Sequence, residues 1–135
     1  MIVGIGVDVV NVPRFAATLS SVGGLKRLYF APEELLAEDG RPRSPGSLAA
    51  RYAAKEAASK ALGVPAGLRH VDCRVSHGQA GEPELITTGS VASAAAEAGV
   101  TRWHVSMTLE GDMAMAMVIA ERDQDKVRAD EAEVQ

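Results

Sequence analysis

A chain of 135 residues can close one hydrophobic core, and 47% apolar and 24% charged residues make an ordinary globular composition. The net charge of −4 argues against a general nucleic-acid binder, and a single cysteine, Cys73, excludes an internal disulfide and fits a reducing cytoplasm. Aromatics are only 4% while alanine is plentiful, which favours close helix packing through small side chains.

Ile2 to Val10 is rich in β-branched residues, with Gly4 and Gly6 interleaved, and reads as a buried strand interrupted by Asp8. Its lack of a basic flank makes it a poor signal peptide. Asn11, Val12 and Pro13 offer a cap and a first-turn proline for a helix from Pro13 to about Ser21, ended by Gly23 and Gly24. Ala31-Pro32-Glu33-Glu34 reads as a second helix start, with carboxylates where the macrodipole favours them. Gly40 to Gly46 reads as a loop. Ser47 to Leu62 carries the strongest helical pattern, alanine-rich and stopped by Gly63 and Pro65.

Arg69 to Ser76 alternates, placing Val71, Cys73 and Val75 on one face of a strand. Gly78 to Pro83 is a turn, and Leu85-Ile86-Thr87 a partner strand. Ser90 to Ala98 reads as a helix closed by Gly99. Trp103, Val105, Met107 and Leu109 alternate with His104, Ser106 and Thr108 as a half-polar strand. A turn at Glu110-Gly111-Asp112 leads into a last strand, Met113 to Ala120, whose methionines read as a core face. That apolar run is too short to span a bilayer. From Glu121 onward the chain is charged and reads as a solvated, disordered tail. The organisation is one α+β domain over residues 1–121 and a tail over 122–135, with a cytoplasmic location and no membrane or nucleic-acid partner.

Asp8, Lys55, Glu56 and Lys60 form the first chemical constellation. A carboxylate in an apolar strand is costly unless a metal, a cation or solvent compensates it. Glu56 and Lys60, four apart, share a helix face. The spacing fits a surface ion pair beside a strand-end aspartate. That reading is the one spacing favours; the sharper alternative is a magnesium site, in which one or two carboxylates hold the ion, substrate phosphates complete it, and lysine neutralises phosphate charge. The glycines of Gly4-Ile5-Gly6 lie within a strand and lack a third partner, so they mark close backbone approach and not a dinucleotide fingerprint. Ser106 and His104 are neighbours on one strand with no aspartate to orient the ring, which argues against a hydrolase triad. His70 and His77 fall outside metal-ligand spacings and take surface or structural roles.

Three blocks in order resemble the holo-acyl-carrier-protein synthase family, the small trimeric branch of the 4′-phosphopantetheinyl transferases. They are Gly4-Ile5-Gly6-Val7-Asp8-Val9-Val10 with Pro13-Arg14-Phe15; Leu48 to Ala57 with Lys60-Ala61-Leu62-Gly63; and His104-Val105-Ser106-Met107-Thr108. Gly81-Glu82-Pro83 is similar to the family's glycine–x–proline turn. The resemblance implies the 4′-phosphopantetheinyl transferase-like fold, an antiparallel sheet wrapped by the long alanine-rich helix, in a homotrimer with active sites between subunits. It implies that Asp8 and Glu56 hold Mg2+ on the coenzyme A pyrophosphate and that Lys60 contacts phosphate. Arg51, Lys55 and Gly63 belong to the same coenzyme pocket, Ser106 and Thr108 hydrogen-bond the coenzyme, and Pro83 packs near its adenine.

Asp8, Glu56 and Lys60 are thereby the catalytic set, and Arg14 docks an acidic carrier. The implied reaction moves phosphopantetheine to a serine of an acyl carrier protein, or of a carrier domain in a fatty-acid or polyketide synthase, and releases 3′,5′-ADP. Leu109 stands where many members carry histidine. A non-catalytic coenzyme A and metal-binding relative is therefore the alternative.

Overall fold

A computed structural model describes residues 1–124 and 131–134. The element order is β1 (Ile2–Asn11), α1 (Val12–Ser21), α2 (Leu25–Tyr29), a 3-10 turn (Pro32–Leu35), α3 (Pro45–Ala61), a second 3-10 turn (His70–Asp72), β2 (Cys73–His77), β3 (Pro83–Thr87), α4 (Gly89–Ala98), β4 (Arg102–Glu110) and β5 (Met113–Glu121). β1, β5 and β4 form an antiparallel sheet in that order, and β2 and β3 form a hairpin beside it. Half of the tail expected over 122–135, residues 125–130 and 135, lies outside the described residues; of the other half, 131–134 are helical where a disordered tail was expected.

The long helix α3 fills the centre. Ser44 caps it by accepting from Ser47 N at 3.1 Å, and Pro45 occupies the first turn, where its missing N–H costs nothing. It therefore begins two residues before the expected Ser47, inside the stretch read as a loop. Ala49, Ala53, Ala54 and Ala57 are fully buried against the sheet, whose facing residues are Ala114, Ala116, Val118 and Ala120. Alanine on alanine brings helix and sheet close, and two glycines bring them closer. A Cβ on Gly4 or Gly6 would overlap the carbonyl oxygen of Ala61 or Ala57. Phe15, Leu19, Phe30 and Leu48 extend the same core around α1 and α3.

Several expectations change. The methionines of β5 are not a core face: Met113, Met115 and Met117 are 40–48% exposed, and the alternating alanines are the buried set. Side chains alternate across a strand, and only the small set fits beneath α3. β1 is likewise covered on one face alone, leaving Ile5, Val7 and Val9 exposed. The region of Pro32 forms a 3-10 turn in place of an α-helix, because Glu34 turns inward to a buried partner. Arg69 to Asp72 is not strand. The chain bends there so that the carbonyls of His70 and Cys73 both face Lys55 Nζ. The short α2 was not foreseen; five residues carry too little periodicity.

Candidate active site

Asp8 lies on the face of β1 that meets α3, and Glu56 lies one turn before Lys60 on α3. The Gly6–Ala57 contact sets these two elements together, so Asp8 and Glu56 line one open cleft of about 350 Å³. Asn11, Arg14, Phe15 and Tyr52 complete much of its wall. Asn11 Oδ1 accepts from Arg14 N at 3.0 Å, capping α1 so that Arg14 sits in its first turn beside the cleft.

The charges pair differently from the helix spacing. Lys60 Nζ donates to Asp8 Oδ1 and to Val7 O, each at 3.0 Å. The Asp8 side chain is 18% exposed and that of Lys60 46%. Glu56 Oε1 accepts from His70 Nε2 at 2.6 Å. Asp8 is thus paired with Lys60 and Glu56 with His70, and among the described residues the expected Glu56–Lys60 pair does not form.

Lys55 lies beneath the cleft. Its side chain is 1% exposed, and Nζ donates to Glu34 Oε1 at 2.8 Å, to His70 O at 3.0 Å and to Cys73 O. An ammonium has three donors, so every one is engaged. Glu34 also accepts from Ala31 N at 3.1 Å and Val75 N at 3.2 Å. Burial pushes the Cys73 thiol up to about 11, so it stays protonated at neutral pH.

Arg51 is also buried. Nη1 donates to Ser47 Oγ at 2.8 Å, and Nη2 donates to His77 Nε2 at 2.6 Å. Because arginine only donates, His77 Nε2 accepts, and His77 Nδ1 donates to Gly81 O at 3.1 Å. Desolvation, with Arg43 close by, lowers Arg51 to about 10, still protonated at neutral pH. The Nε atoms of Arg51 and Arg43 are buried without a partner.

Gly63 ends α3 with φ of 81°, a conformation that favours glycine. Ser106 and Thr108 lie on the exposed face of β4, opposite Met117 and Met115. Pro83 opens β3 in a separate crevice of about 590 Å³, with Trp103 and His104. The structure therefore brings Asp8, Glu56 and Arg14 into one cleft, and within one chain it does not bring Ser106, Thr108 or Pro83 there. His104 Nε2 pairs with Glu121 Oε1 at 3.1 Å, so the ring does have a carboxylate partner, one the sequence reading did not foresee.

Residues that sequence reasoning left unassigned also enter the site. Tyr52 faces Phe15 and Tyr29, each at a ring distance of 4.9 Å, and stacks on His70 at 5.5 Å. Burial, then the carboxylate of Glu56, pushes the Tyr52 phenol well above its ordinary value. The one available signal was two basic residues, Arg51 and Lys55, inside an alanine-rich helix. Buried charges demand partners, and here those partners are Glu34, His70 and His77.

Asp8 and Glu56 suit a magnesium ion. Magnesium usually takes one or two carboxylates and leaves its other positions to water and phosphate oxygens. Among the described residues no group of three or more histidine, cysteine or carboxylate side chains is placed to hold a metal ion.

The 4′-phosphopantetheinyl transferase superfamily model matches residues 4–118. A holo-[acyl-carrier-protein] synthase of Salinispora arenicola is 50% identical over 122 residues, covering 90% of this chain and all of the relative. The acyl carrier protein synthase structure from Mycobacterium tuberculosis aligns with TM-score 0.70 at 35% identity, covering 91% of this chain and all of that one. A holo-(acyl-carrier-protein) synthase from Bacillus anthracis, solved in complex with CoA (3′,5′-ADP), aligns with TM-score 0.73 at 29% identity, covering 91% of this chain and 99% of that one. The family model matches residues 4–118 and a relative is 50% identical across 90% of this chain, so the chain belongs to the 4′-phosphopantetheinyl transferase superfamily.

Proposed function

We propose that this protein transfers the 4′-phosphopantetheine arm of coenzyme A to a serine hydroxyl of an apo acyl carrier protein or carrier domain. The serine oxygen bonds to the β-phosphorus, the pyrophosphate P–O bond breaks, the hydroxyl proton is lost, and 3′,5′-ADP leaves. The observation that carries this reading is the cleft shared by Asp8 and Glu56, in a chain of this family. The domain responsible is residues 1–121.

Asp8 and Glu56 would hold Mg2+, which when bound neutralises charge on the pyrophosphate. The chain's own residues supply the rest by positioning. Lys60, half-exposed beside Asp8, is a mobile point charge for phosphate. Arg51, buried on α3, and Arg43, partly buried beside it, add positive charge that favours an anion. Lys55 supports the pocket from below by fixing the His70 turn. Arg14, exposed at the cleft wall, meets the acidic carrier.

The proposed assembly is a homotrimer with sites between subunits. Ile5, Val7, Val9, Met113, Met115 and Met117 form an apolar outer sheet face, the kind of patch that marks an interface. Ser106 and Thr108 border it, so a second copy is the means by which they reach an Asp8–Glu56 cleft. The reduced, buried Cys73 suits the cytoplasm, the proposed location, and no described helix is long and apolar enough to cross a membrane.

Mass spectrometry of an apo carrier incubated with the protein, coenzyme A and Mg2+ tests the reaction. The carrier should gain one phosphopantetheine. A chelator should abolish the gain, and Glu56→Gln should slow it by about 100-fold or more. Leu109, 49% exposed where many members carry histidine, favours one second reading, a binding relative without turnover. Coenzyme A binding with every apo carrier left unmodified would establish it.

A further inference from the structure

His70 is held at both ends by consecutive residues of α3. Lys55 Nζ donates to its backbone carbonyl at 3.0 Å, and its ring Nε2 meets Glu56 Oε1 at 2.6 Å. Lys55 is itself fixed by Glu34 and by Cys73 O, so the carbonyl is gripped by a buried group that cannot swing away. The ring is fixed as well: it stacks on Tyr52 with 13° between planes and lies 4.7 Å from Tyr29. A carboxylate oxygen can only accept, so His70 Nε2–H is the donor.

Glu56 is the member of the proposed metal pair most in need of such a partner. Its side chain is 32% exposed at the cleft, and an unrestrained glutamate there would sample several rotamers. Asp8 has a shorter side chain and its own contact with Lys60. His70 engages Oε1 of Glu56, and hydrogen bonds of this kind orient metal-binding carboxylates.

We infer that His70 is a positioning residue: clamped by Lys55 and stacked on Tyr52, it orients the Glu56 carboxylate for the divalent cation. This inference rests on the metal reading of Asp8 and Glu56. It assigns His70 a role that touches neither coenzyme nor carrier, and it separates the donor function of the ring from its packing function. Glutamine at this position keeps an N–H at similar reach without a ring. Phenylalanine keeps a ring for Tyr29 and Tyr52 without a donor.

The experiment measures Mn2+ binding to the full chain saturated with coenzyme A, following free Mn2+ by electron paramagnetic resonance. Wild type, His70→Gln, His70→Phe and Glu56→Gln are compared, with the melting temperature of each. His70→Phe should weaken Mn2+ by about tenfold while melting close to wild type, and His70→Gln should stay within about threefold of wild type. Wild-type Mn2+ affinity in His70→Phe, with Glu56→Gln impaired, overturns the positioning role alone. Equal loss of affinity and melting temperature in both His70 variants also overturns it, since packing then explains the residue. Unchanged Mn2+ affinity in Glu56→Gln overturns the carboxylate site itself, and the clamp with it.

Discussion

Gly6 of β1 lies directly beneath the carbonyl of Ala57 on α3, with no room between them for a side chain. This contact sets the distance between the strand that carries Asp8 and the helix that carries Glu56, so it defines the cleft as well as the core.

Substitution of Gly6 by alanine should therefore be severe. The new methyl group meets backbone, which cannot rotate away, and the expected loss is about 3 kcal/mol or more. Gly46 provides the contrast. It is helical, and a Cβ there would meet only the Leu109 methyl carbons at 3.5 Å. Gly46→Ala should stabilise by about 0.5–1 kcal/mol. Urea unfolding of the two variants, in parallel with wild type, measures both.

The Lys55–Glu34 pair ties α3 to the Pro32–Leu35 turn, with side chains 1% and 2% exposed. Removing one partner strands the other charge. Lys55→Met alone should cost about 3–5 kcal/mol. Lys55→Met combined with Glu34→Leu should recover part of that loss, because no uncompensated charge remains. A double-mutant cycle by chemical denaturation gives the coupling.

Asp72 caps α4 from outside the helix: Oδ2 accepts from Ser90 Oγ at 2.6 Å and from Ser90 N at 2.9 Å. These bonds, that from the Ser90 hydroxyl foremost, hold the carboxyl below its ordinary value of 3.8. A folded-state value below the unfolded one stabilises the fold above the unfolded value, and the benefit is lost as pH falls through the folded one. Asp72→Ala should cost about 1 kcal/mol at pH 7. The difference from wild type should shrink progressively below pH 3.8. Melting curves of both proteins across pH 2.5–7 read the effect.

Met115 sits on the outer sheet face between Val9 and Thr108. A charge there faces water in an isolated chain and apolar surface in an assembled one. Met115→Glu should leave helix content unchanged by circular dichroism. By light scattering it should shift the mass from that of the proposed trimer toward the monomer, and transfer activity should fall with it.

Much of the fold was legible in the residues. The cap at Asn11, the stop at Gly63, the alternation of β4 and the alanine content of α3 each act within a few residues of chain. Local physics of that range is written directly in sequence. The start of α3 was missed because its cap, Ser44, lies in a stretch whose glycines and prolines read as a loop, and the turn at His70 because a lysine fifteen residues away decides it.

The sequence by itself singled out a carboxylate in the first strand, and a lysine–glutamate pair followed by a further lysine in the central helix, as the candidate chemical residues, and it carried the resemblance to the family. Only the tertiary structure decided how the charges pair: Lys60 with Asp8, Glu56 with His70, Lys55 with Glu34. It also decided that the alanines of β5 face inward while its methionines face out. Spacing fixes which side chains share a face. Which partner each one meets depends on the residue that the fold brings across from 14 to 52 positions away.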